Sequence, residues 1–422
     1  MRSRARYSLA ALLAASLALP VLAPAQDAAG DKTLTLKIGD PRFKDKTLDV
    51  APNLLYSAEA GQAVPFARMI QEMKPARLVY VGETHNSLPV HELQARVLEA
   101  LYEQDRSLCL GVEMFPVTFQ DVLTKWSLGI MSEEDFVREA QWYVNWNFNF
   151  AFYRRVFLFA KENRIPIVAL NAPREIITKV RMSGWEALTD AEKAIVPQLD
   201  LAHPEHRQLI RAVFEGMDIP AQMRGAGLDM MFEGLYRAQS AWDHVMGTNA
   251  AKGAAREGRK MVVLIGSGHV IYGLGANLRG FQASRLPFKT VVSVFIPAGK
   301  ASFQVTRSLG DYVLGIPEES RPAYPSVGLS FKKVKGLENL FLEAKPQDGV
   351  ARGQDFEKGD IILDVDGKAC GDTNELRTYL AKFPWDGEAK FRILRAGAEK
   401  AVTLKFHETP PPVPDSKKQT RS

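Results

Sequence analysis

The chain carries the pattern Gly-x-x-His twice, and each copy directly follows a short apolar run. The copies are residues 82–85 and 266–269, and the runs before them are residues 78–81 and 261–265. These runs are rich in β-branched residues, too short for helices and closed by glycine, which is typical of strands covered on both faces of a parallel sheet. If both strands belong to one sheet, the two histidines share a cleft at its edge.

Strand-like and helix-like segments alternate from residue 77 onward. This alternation predicts an α/β fold, with an open, mostly parallel sheet and helices on both faces, followed by a small β-rich domain. Residues 33–50 alternate apolar and polar around Gly39-Asp40-Pro41, which predicts a hairpin before the sheet. The predicted strands are residues 78–81, 108–112, 165–170, 261–265 and 290–296, with a helix at 89–102 and a helix-rich stretch at 174–255.

The first 25 residues have the features of a secretory signal peptide. Three arginines precede an apolar run, which closes with Ala23-Pro24-Ala25 as an A-x-A cleavage site. This run is shorter than the roughly 20 residues that a membrane span needs, and no later segment is longer. We therefore expect a periplasmic protein that does not span a membrane.

Length and proline content divide the rest of the chain. A sequence of 422 residues is too long for one ordinary core. Prolines at 317, 322 and 325 interrupt any regular element, and the last residues are Pro-rich and then basic, which is typical of disorder. The predicted divisions are a signal peptide at 1–25, an α/β domain at 26–320, a second domain at 324–408 and a disordered tail at 409–422.

Charge and cysteine content exclude two classes of protein. Without the three arginines of the predicted signal peptide, 51 Lys and Arg face 49 Asp and Glu, and the basic residues are spread along the chain. A nucleic acid or an anionic membrane surface is therefore not the expected partner. Two cysteines cannot form a disulfide framework, so we expect Cys109 to be a core residue and Cys370 to be an exposed thiol.

Polar side chains follow four of the predicted strands at the edge where loops form a crevice. Two imidazoles and two carboxylates are among them, and we expect Glu113 to lie between the two histidines at this edge. Such a group could hold a divalent transition metal, with His85, Glu113 and His269 as ligands and an open position for an activated water. A carboxylate with a raised pKa could instead act as a general base. The residues at this edge are Glu83, His85, Glu113, Asn171, Arg174 and His269.

The remaining histidines have structural roles in this interpretation. A Gly-x-x-His turn can itself have a purely structural role, since a strand that turns sharply into a helix needs such a turn. Asp243 is different because it lies in a mainly apolar predicted helix, where a buried carboxylate needs a partner. The histidines predicted to be surface or helix residues are His91, His203, His206, His244 and His407.

Five motifs over about 190 residues resemble the ChaN-like haem-binding uptake family, which is grouped with the Tiki, TraB and erythromycin-esterase-like proteins. The resemblance places His85, Glu113 and His269 on the superfamily's site positions. It places Asn171, Arg174 and Asp243 on motif positions of the family. The motifs are residues 78–85, 111–115, 165–175, 238–246 and 266–269.

The resemblance leaves the chemistry open, because the ChaN branch binds haem for iron acquisition while other branches hydrolyse peptide or ester bonds. It implies a tyrosine ligand to the haem iron, for which the aromatic segment 142–153 offers Tyr143 and Tyr153. Tyr153 fits the family's tyrosine better. The same aromatic cluster could instead pack as core. The resemblance also implies that haem can lie between the two protomers of a homodimer.

The second domain resembles a bacterial PDZ domain in residues 326–331, 348–351, 357–362, 366–367 and the predicted helix 373–383. The resemblance implies that a peptide C-terminus adds as a strand between an edge strand and this helix, with backbone N–H groups holding its carboxylate. The implied peptide-binding residues are Val327, Gly328, Leu329, Ser330 and Phe331.

Three functions fit these observations. The favoured one is a periplasmic haem-binding protein of iron and haem uptake, with a peptide-binding PDZ module. The second is a metal-dependent peptidase or esterase that uses Glu83, His85, Glu113 and His269. The third is a non-catalytic periplasmic scaffold that binds protein C-termini.

Overall fold

The protein is described by a computed structural model that covers residues 30–217, 227–333 and 338–407. The predicted signal peptide and the predicted tail lie outside these residues. No helix within them is long and apolar enough to cross a membrane.

An eight-stranded sheet is the centre of the first part of the chain. Its strands are β2 Leu55–Ser57, β3 Gln62–Ala63, β4 Leu78–Glu83, β5 Leu108–Pro116, β6 Ile167–Asn171, β7 Lys260–Gly266, β8 Phe288–Ile296 and β10 Tyr312–Pro317. Their order across the sheet is β3-β2-β10-β8-β4-β7-β5-β6. The six strands from β10 to β6 are parallel, while β2 and β3 are antiparallel additions at one edge.

Both faces of this sheet are buried, as the apolar runs predict. In β4, Val79 and Val81 belong to one apolar cluster, while Leu78 and Tyr80 belong to a second cluster on the other face. Successive side chains of a strand point to opposite faces, so a continuous apolar run needs a helical layer on each side. The helices in this part are Phe66–Glu72, Leu88–Gln104, Gln120–Ser127, Glu133–Glu139, Trp142–Asn145, Arg154–Glu162, Arg174–Ser183, Asp190–Ile195, Pro204–Gly216, Leu228–Glu257 and Ala276–Ser284.

Two details of the predicted sheet are wrong. The predicted hairpin in residues 33–50 does not form, because β1 (Thr47–Val50) pairs with β9 (Phe303–Thr306) from the far end of this part of the chain. The strand that carries Glu113 does not lie between the two histidine strands. Instead β4 pairs directly with β7, and β5 lies on the other side of β7.

The second part is a five-stranded antiparallel sheet in the order β11-β12-β13-β14-β15, with the helix Thr373–Leu380. It has its own apolar core. Cys370 belongs to that core and is 2% exposed, so the prediction of an exposed thiol is wrong. Its strands are β11 Phe331–Lys333, β12 Leu340–Leu342, β13 Ile361–Val365, β14 Glu388–Arg395 and β15 Ala398–Lys405.

Candidate functional site

The pairing of β4 with β7 brings the two Gly-x-x-His turns side by side. In this register Glu83 lies opposite Gly266. A Cβ atom on Gly82 would lie 2.9 Å from the Ser267 Oγ, so the close approach of the two turns requires glycine at position 82. Both turns leave the sheet at its carboxyl edge, which confirms that the two histidines share one cleft.

Gly266 marks the point where the key side chains meet. A Cβ atom at this position would lie 3.2 Å from the His85 Cε1, 3.5 Å from the Glu113 Oε2 and 3.5 Å from the His269 Cδ2. The Gly266 N–H also donates a hydrogen bond to Glu113. The glycine therefore leaves the small space around which two imidazoles and one carboxylate are arranged.

His85 is oriented by a buried carboxylate. Its Nδ1 donates to Glu83 Oε1 at 2.7 Å, and Gln94 donates to the second oxygen of Glu83 at 2.6 Å. Burial alone would raise the pKa of Glu83, but the hydrogen bond from His85 and the charges of His91 and His85 hold it at about 2. Glu83 is thus an ionised positioning group, and it leaves Nε2 as the His85 nitrogen that can act in the cleft.

His269 is oriented in the same way from the other side. Its Nδ1 donates to Asp243 Oδ1 at 2.7 Å, and its Nε2 lies 3.4 Å from Glu113 Oε1. Burial would lower the pKa of His269, but the charge of Glu113 and the hydrogen bond to Asp243 raise it to about 10. The two carboxylates therefore favour the cationic form of this ring, with a proton on each nitrogen.

Asp243 has a second partner that the sequence interpretation missed. His206 Nε2 donates to Asp243 Oδ2 at 3.0 Å, and both side chains are fully buried. Burial would raise the pKa of Asp243, but the hydrogen bonds from His206 and His269 lower it. The buried carboxylate predicted to need a partner has two.

The cleft combines apolar walls with these polar groups. Asn171 and Arg174 lie at its rim, as predicted. The indole of Trp146 packs edge-on against His85, with ring centroids 4.7 Å apart. Gln239 is 2% exposed, and its side-chain amide group lies 2.8 Å from the His269 Nδ1. The apolar lining residues are Met114, Pro116, Trp146, Ala172, Ile210, Val213 and Trp242.

Neither predicted tyrosine reaches the cleft. The Tyr153 hydroxyl donates to Glu83 Oε1 at 2.7 Å and accepts from the Trp146 indole at 2.8 Å. Burial and the charge of Glu83 raise its pKa well above the usual value, which disfavours a phenolate. Tyr143 is also buried, and its hydroxyl accepts from the backbone N–H of Phe150. The structure therefore places both as core residues and not as exposed ligands.

Three of the histidines that were predicted to be surface or helix residues lie in helices, and all three are buried. His91 lies 2.9 Å from the Gln94 Oε1 and 3.2 Å from the His85 carbonyl. His244 and His206 lie inside the helical layer. His206 could not be recognised because its helix, Pro204–Gly216, is far in sequence from Asp243. Gln239 could have been recognised, since it lies one helical turn before Asp243.

A metal centre at this site remains a prediction. Within the described residues, no group of three or more His, Cys, Asp or Glu side chains is arranged to hold a metal ion. The cationic ring of His269 would also have to lose one of its two N–H protons before it could bind a metal, because only neutral imidazole is a ligand.

The predicted peptide-binding residues lie at the edge of the second sheet. Val327 is partly buried, Leu329 and Phe331 are 6% exposed in the core, and Ser330 is exposed. Gly328 has φ +74°, and a Cβ there would lie 2.0 Å from the Asp348 carbonyl oxygen, so this turn requires glycine. β11 has a free edge because only β12 pairs with it among the described strands.

Comparison with solved structures gives the following similarities. A Campylobacter jejuni ChaN, described with cofacial haem binding, is 16% identical, with 62% of this chain and 95% of that chain covered and a TM-score of 0.49. An erythromycin esterase mutant in its open conformation is 8% identical, with 62% and 82% covered and a TM-score of 0.33. The HtrA-type protease AlgW with a decapeptide is 21% identical, with 21% and 30% covered and a TM-score of 0.19.

Family models match both parts of the chain, whereas no curated protein matches it. The model described as "Haem-binding uptake, Tiki superfamily, ChaN" matches residues 69–279, which is half of the sequence and includes every residue of the candidate cleft named above. A PDZ domain model matches residues 325–406. The chain therefore belongs to the ChaN family of haem-binding uptake proteins in the Tiki superfamily, and it carries a C-terminal PDZ domain.

Proposed function

We propose that this protein binds haem in the cleft at the carboxyl edge of its parallel sheet and works in periplasmic iron and haem uptake. Membership of the family implies haem as the ligand. The observation that carries the proposal is the cleft itself, where two tryptophans and several aliphatic side chains surround two imidazoles. Haem sites combine large apolar walls with one or two nitrogen, oxygen or sulfur ligands.

The donor set of this cleft fits haem with an imidazole ligand rather than a tyrosine. His85 presents its Nε2 to the cleft because Glu83 holds its Nδ1. Arg174 at the rim supplies a cation for the haem propionates. The Tyr153 hydroxyl is already hydrogen-bonded to Glu83 and Trp146. Haem iron would supply a Lewis acid in this cleft, and His85 is the residue that we expect to hold it through its Nε2.

The test is titration of the purified protein with haemin, following the Soret band. We expect His85→Ala to weaken haemin binding at least about tenfold, the effect of losing one strong interaction of about 1.4 kcal/mol. Tyr153→Phe should bind haemin like the wild type, and His407→Ala, at an exposed histidine of the PDZ domain, is the matched control. Absence of a Soret shift, together with one bound transition-metal ion per chain, would contradict haem binding. Loss of haemin binding in Tyr153→Phe, with binding retained in His85→Ala, would support Tyr153 as the iron ligand.

A hydrolase is the second candidate, and one observation favours it. Two imidazoles, each oriented by a buried carboxylate, face the same small space with Glu113 beside them. In this arrangement His85 is placed to accept a proton from an attacking water, and the protonated His269 is placed to stabilise a developing negative charge.

Hydrolysis is tested with p-nitrophenyl esters and peptide substrates before and after chelation of metals. Glu113→Gln should abolish turnover if the site hydrolyses. Activity that survives chelation would place the chemistry on the imidazoles, whereas activity restored by one transition metal would support the metal centre of His85, Glu113 and His269. Absence of turnover in the wild type would exclude this candidate for those substrates.

We also propose that the PDZ domain binds peptide C-termini. A free edge at β11 lies beside the helix Thr373–Leu380, and a peptide can add there as an extra strand. Capture of peptides from a library with free carboxylates tests this, and a Gly328→Val variant, which blocks the carboxylate-binding turn, is the control. A protein that only captures C-termini, and binds neither haemin nor esters, would be the scaffold of the third hypothesis.

The periplasmic location rests on residues 1–25, whose arginines, apolar run and A-x-A site predict export. Fractionation of expressing cells should recover the protein in the periplasm with residues 1–25 removed. Retention of the uncleaved chain in the cytoplasm would contradict this location.

A further inference from the structure

The helix of the PDZ domain is docked on the first domain by hydrogen bonds. Asn374, which is 4% exposed, accepts from the Tyr143 N–H at 2.9 Å and donates to the Val137 carbonyl at 3.3 Å. Arg377 donates to the Tyr143 carbonyl at 2.7 Å. Asn149 donates to the Ala381 carbonyl at 3.1 Å. The helix therefore holds residues 143–149, which we name the docking segment.

The docked helix of the PDZ domain also borders the peptide groove. Leu376 and Leu380 point into the PDZ core, while Asn374 and Arg377 lie three residues apart on a neighbouring stripe. The helix contacts the edge strand β11, beside which a peptide would add. Asn374 and Arg377 therefore lie on the helix that borders the peptide groove.

The docking segment is also a wall of the haem cleft. Asn145 and Trp146 line the cleft, and the rings of Trp146 and Phe148 pack on His85 at centroid distances of 4.7 and 4.8 Å. The Trp146 indole donates to Tyr153, whose hydroxyl donates to Glu83. A continuous series of contacts therefore links the PDZ helix to the histidine that we assign to the haem iron.

We propose that the helix Thr373–Leu380 is a latch that keeps the aromatic wall of the cleft closed, and that a peptide in the PDZ groove opens it. An extended peptide entering beside β11 would displace the docking segment, which Asn374 and Arg377 hold on the helix. Release of the segment withdraws Trp146 and Phe148 from His85. Since the peptide and the docking segment use the same helix, peptide binding and closure of the aromatic wall exclude each other. The proposal rests on the proposed haem and peptide binding.

The latch is tested in the full chain with Asn374→Ala/Arg377→Ala. Hydrogen exchange at the amides of the docking segment should become about tenfold faster, because the lost hydrogen bonds of the two side chains together contribute about 1.4 kcal/mol. Haemin release to an excess of a haem-scavenging apoprotein should accelerate to a similar degree. Arg392→Ala is the control, since Arg392 is an exposed residue of the PDZ sheet paired with Asp364 and Glu399. Unchanged exchange in the double variant would overturn the latch.

The peptide step is tested with one decapeptide, selected on the full-length double variant from a library with free C-terminal carboxylates. It should bind the double variant about tenfold more tightly than the wild type, and in the wild type it should accelerate exchange in the docking segment. Equal affinity for both proteins, or unchanged exchange, would overturn the opening step, as would failure to select any peptide. Exchange requires no haem, so a failed haemin titration contradicts the proposed function and leaves the latch to be judged by its own readout.

Discussion

Replacement of Asp243 by asparagine tests whether the buried carboxylate organises the His269 side of the cleft. The pKa of His269 is raised from 6.5 to about 10 by Glu113 and Asp243 together. At about 1.4 kcal/mol per pKa unit this amounts to roughly 5 kcal/mol, and an equal division between the two carboxylates assigns about half of it to Asp243. Loss of the charge-assisted bond from His206 adds about 1–3 kcal/mol. We therefore expect Asp243→Asn to lower the free energy of unfolding by about 3–5 kcal/mol at neutral pH, the usual cost of breaking a buried pair.

The pH dependence gives this prediction its sign. Because the pKa of His269 is raised, its contribution to stability is complete below pH 6.5 and is lost as the pH rises toward about 10. The stability gap between wild type and Asp243→Asn should therefore narrow by about 2 kcal/mol over this range. Asp229→Asn, at an exposed aspartate on the same helix, should change stability by less than about 0.5 kcal/mol.

The assay is urea unfolding of the ligand-free protein at several pH values from 6 to 10, followed by circular dichroism. Titration of the His269 ring by NMR provides the second measurement, and its pKa should fall in the Asp243→Asn variant. A difference in the free energy of unfolding below about 1 kcal/mol between wild type and Asp243→Asn would refute the argument, since breaking a buried pair normally costs several times more. A difference that stays constant with pH would also refute it.

Three further substitutions test the packing of the site and the fold. Gly266→Ala should weaken haemin binding at least about tenfold, because its methyl group fills the space between the site side chains, whereas Gly268→Ala, with no atom within 4 Å of the added carbon, should not. Glu83→Gln should lower the free energy of unfolding by about 3 kcal/mol above pH 4.5, and this difference from the wild type should vanish as the pH falls toward 2, the pKa of the carboxylate. An equal difference at pH 2 and above pH 4.5 would contradict the prediction. Gly247→Ala should destabilise the protein by about 1–3 kcal/mol in urea unfolding, because its methyl would lie 2.2 Å from a carbonyl of the neighbouring helix, whereas Gly227→Ala meets nothing.

Local pattern was enough to predict much of this protein. The apolar runs ending in glycine predicted β4 and β7 to within two residues at each end, because a strand buried on both faces needs a continuous apolar sequence. Chain direction alone then placed His85 and His269 at the same edge, since parallel strands end on one side of a sheet. The same reasoning placed Glu113, Asn171 and Arg174 near them without any knowledge of strand order.

Tertiary structure decided which side chains act and which only support. Strand order depends on pairing between segments far apart in the chain, so nothing local indicated that β7 separates β4 from β5. The direction in which Tyr153 points depends on the acceptor that Glu83 supplies from strand β4. The hydrogen bond from His206 to Asp243 joins residues of two different helices that lie 37 positions apart in the chain. A periodic pattern specifies faces and ends of elements, whereas partners across elements are chosen only when the chain has packed.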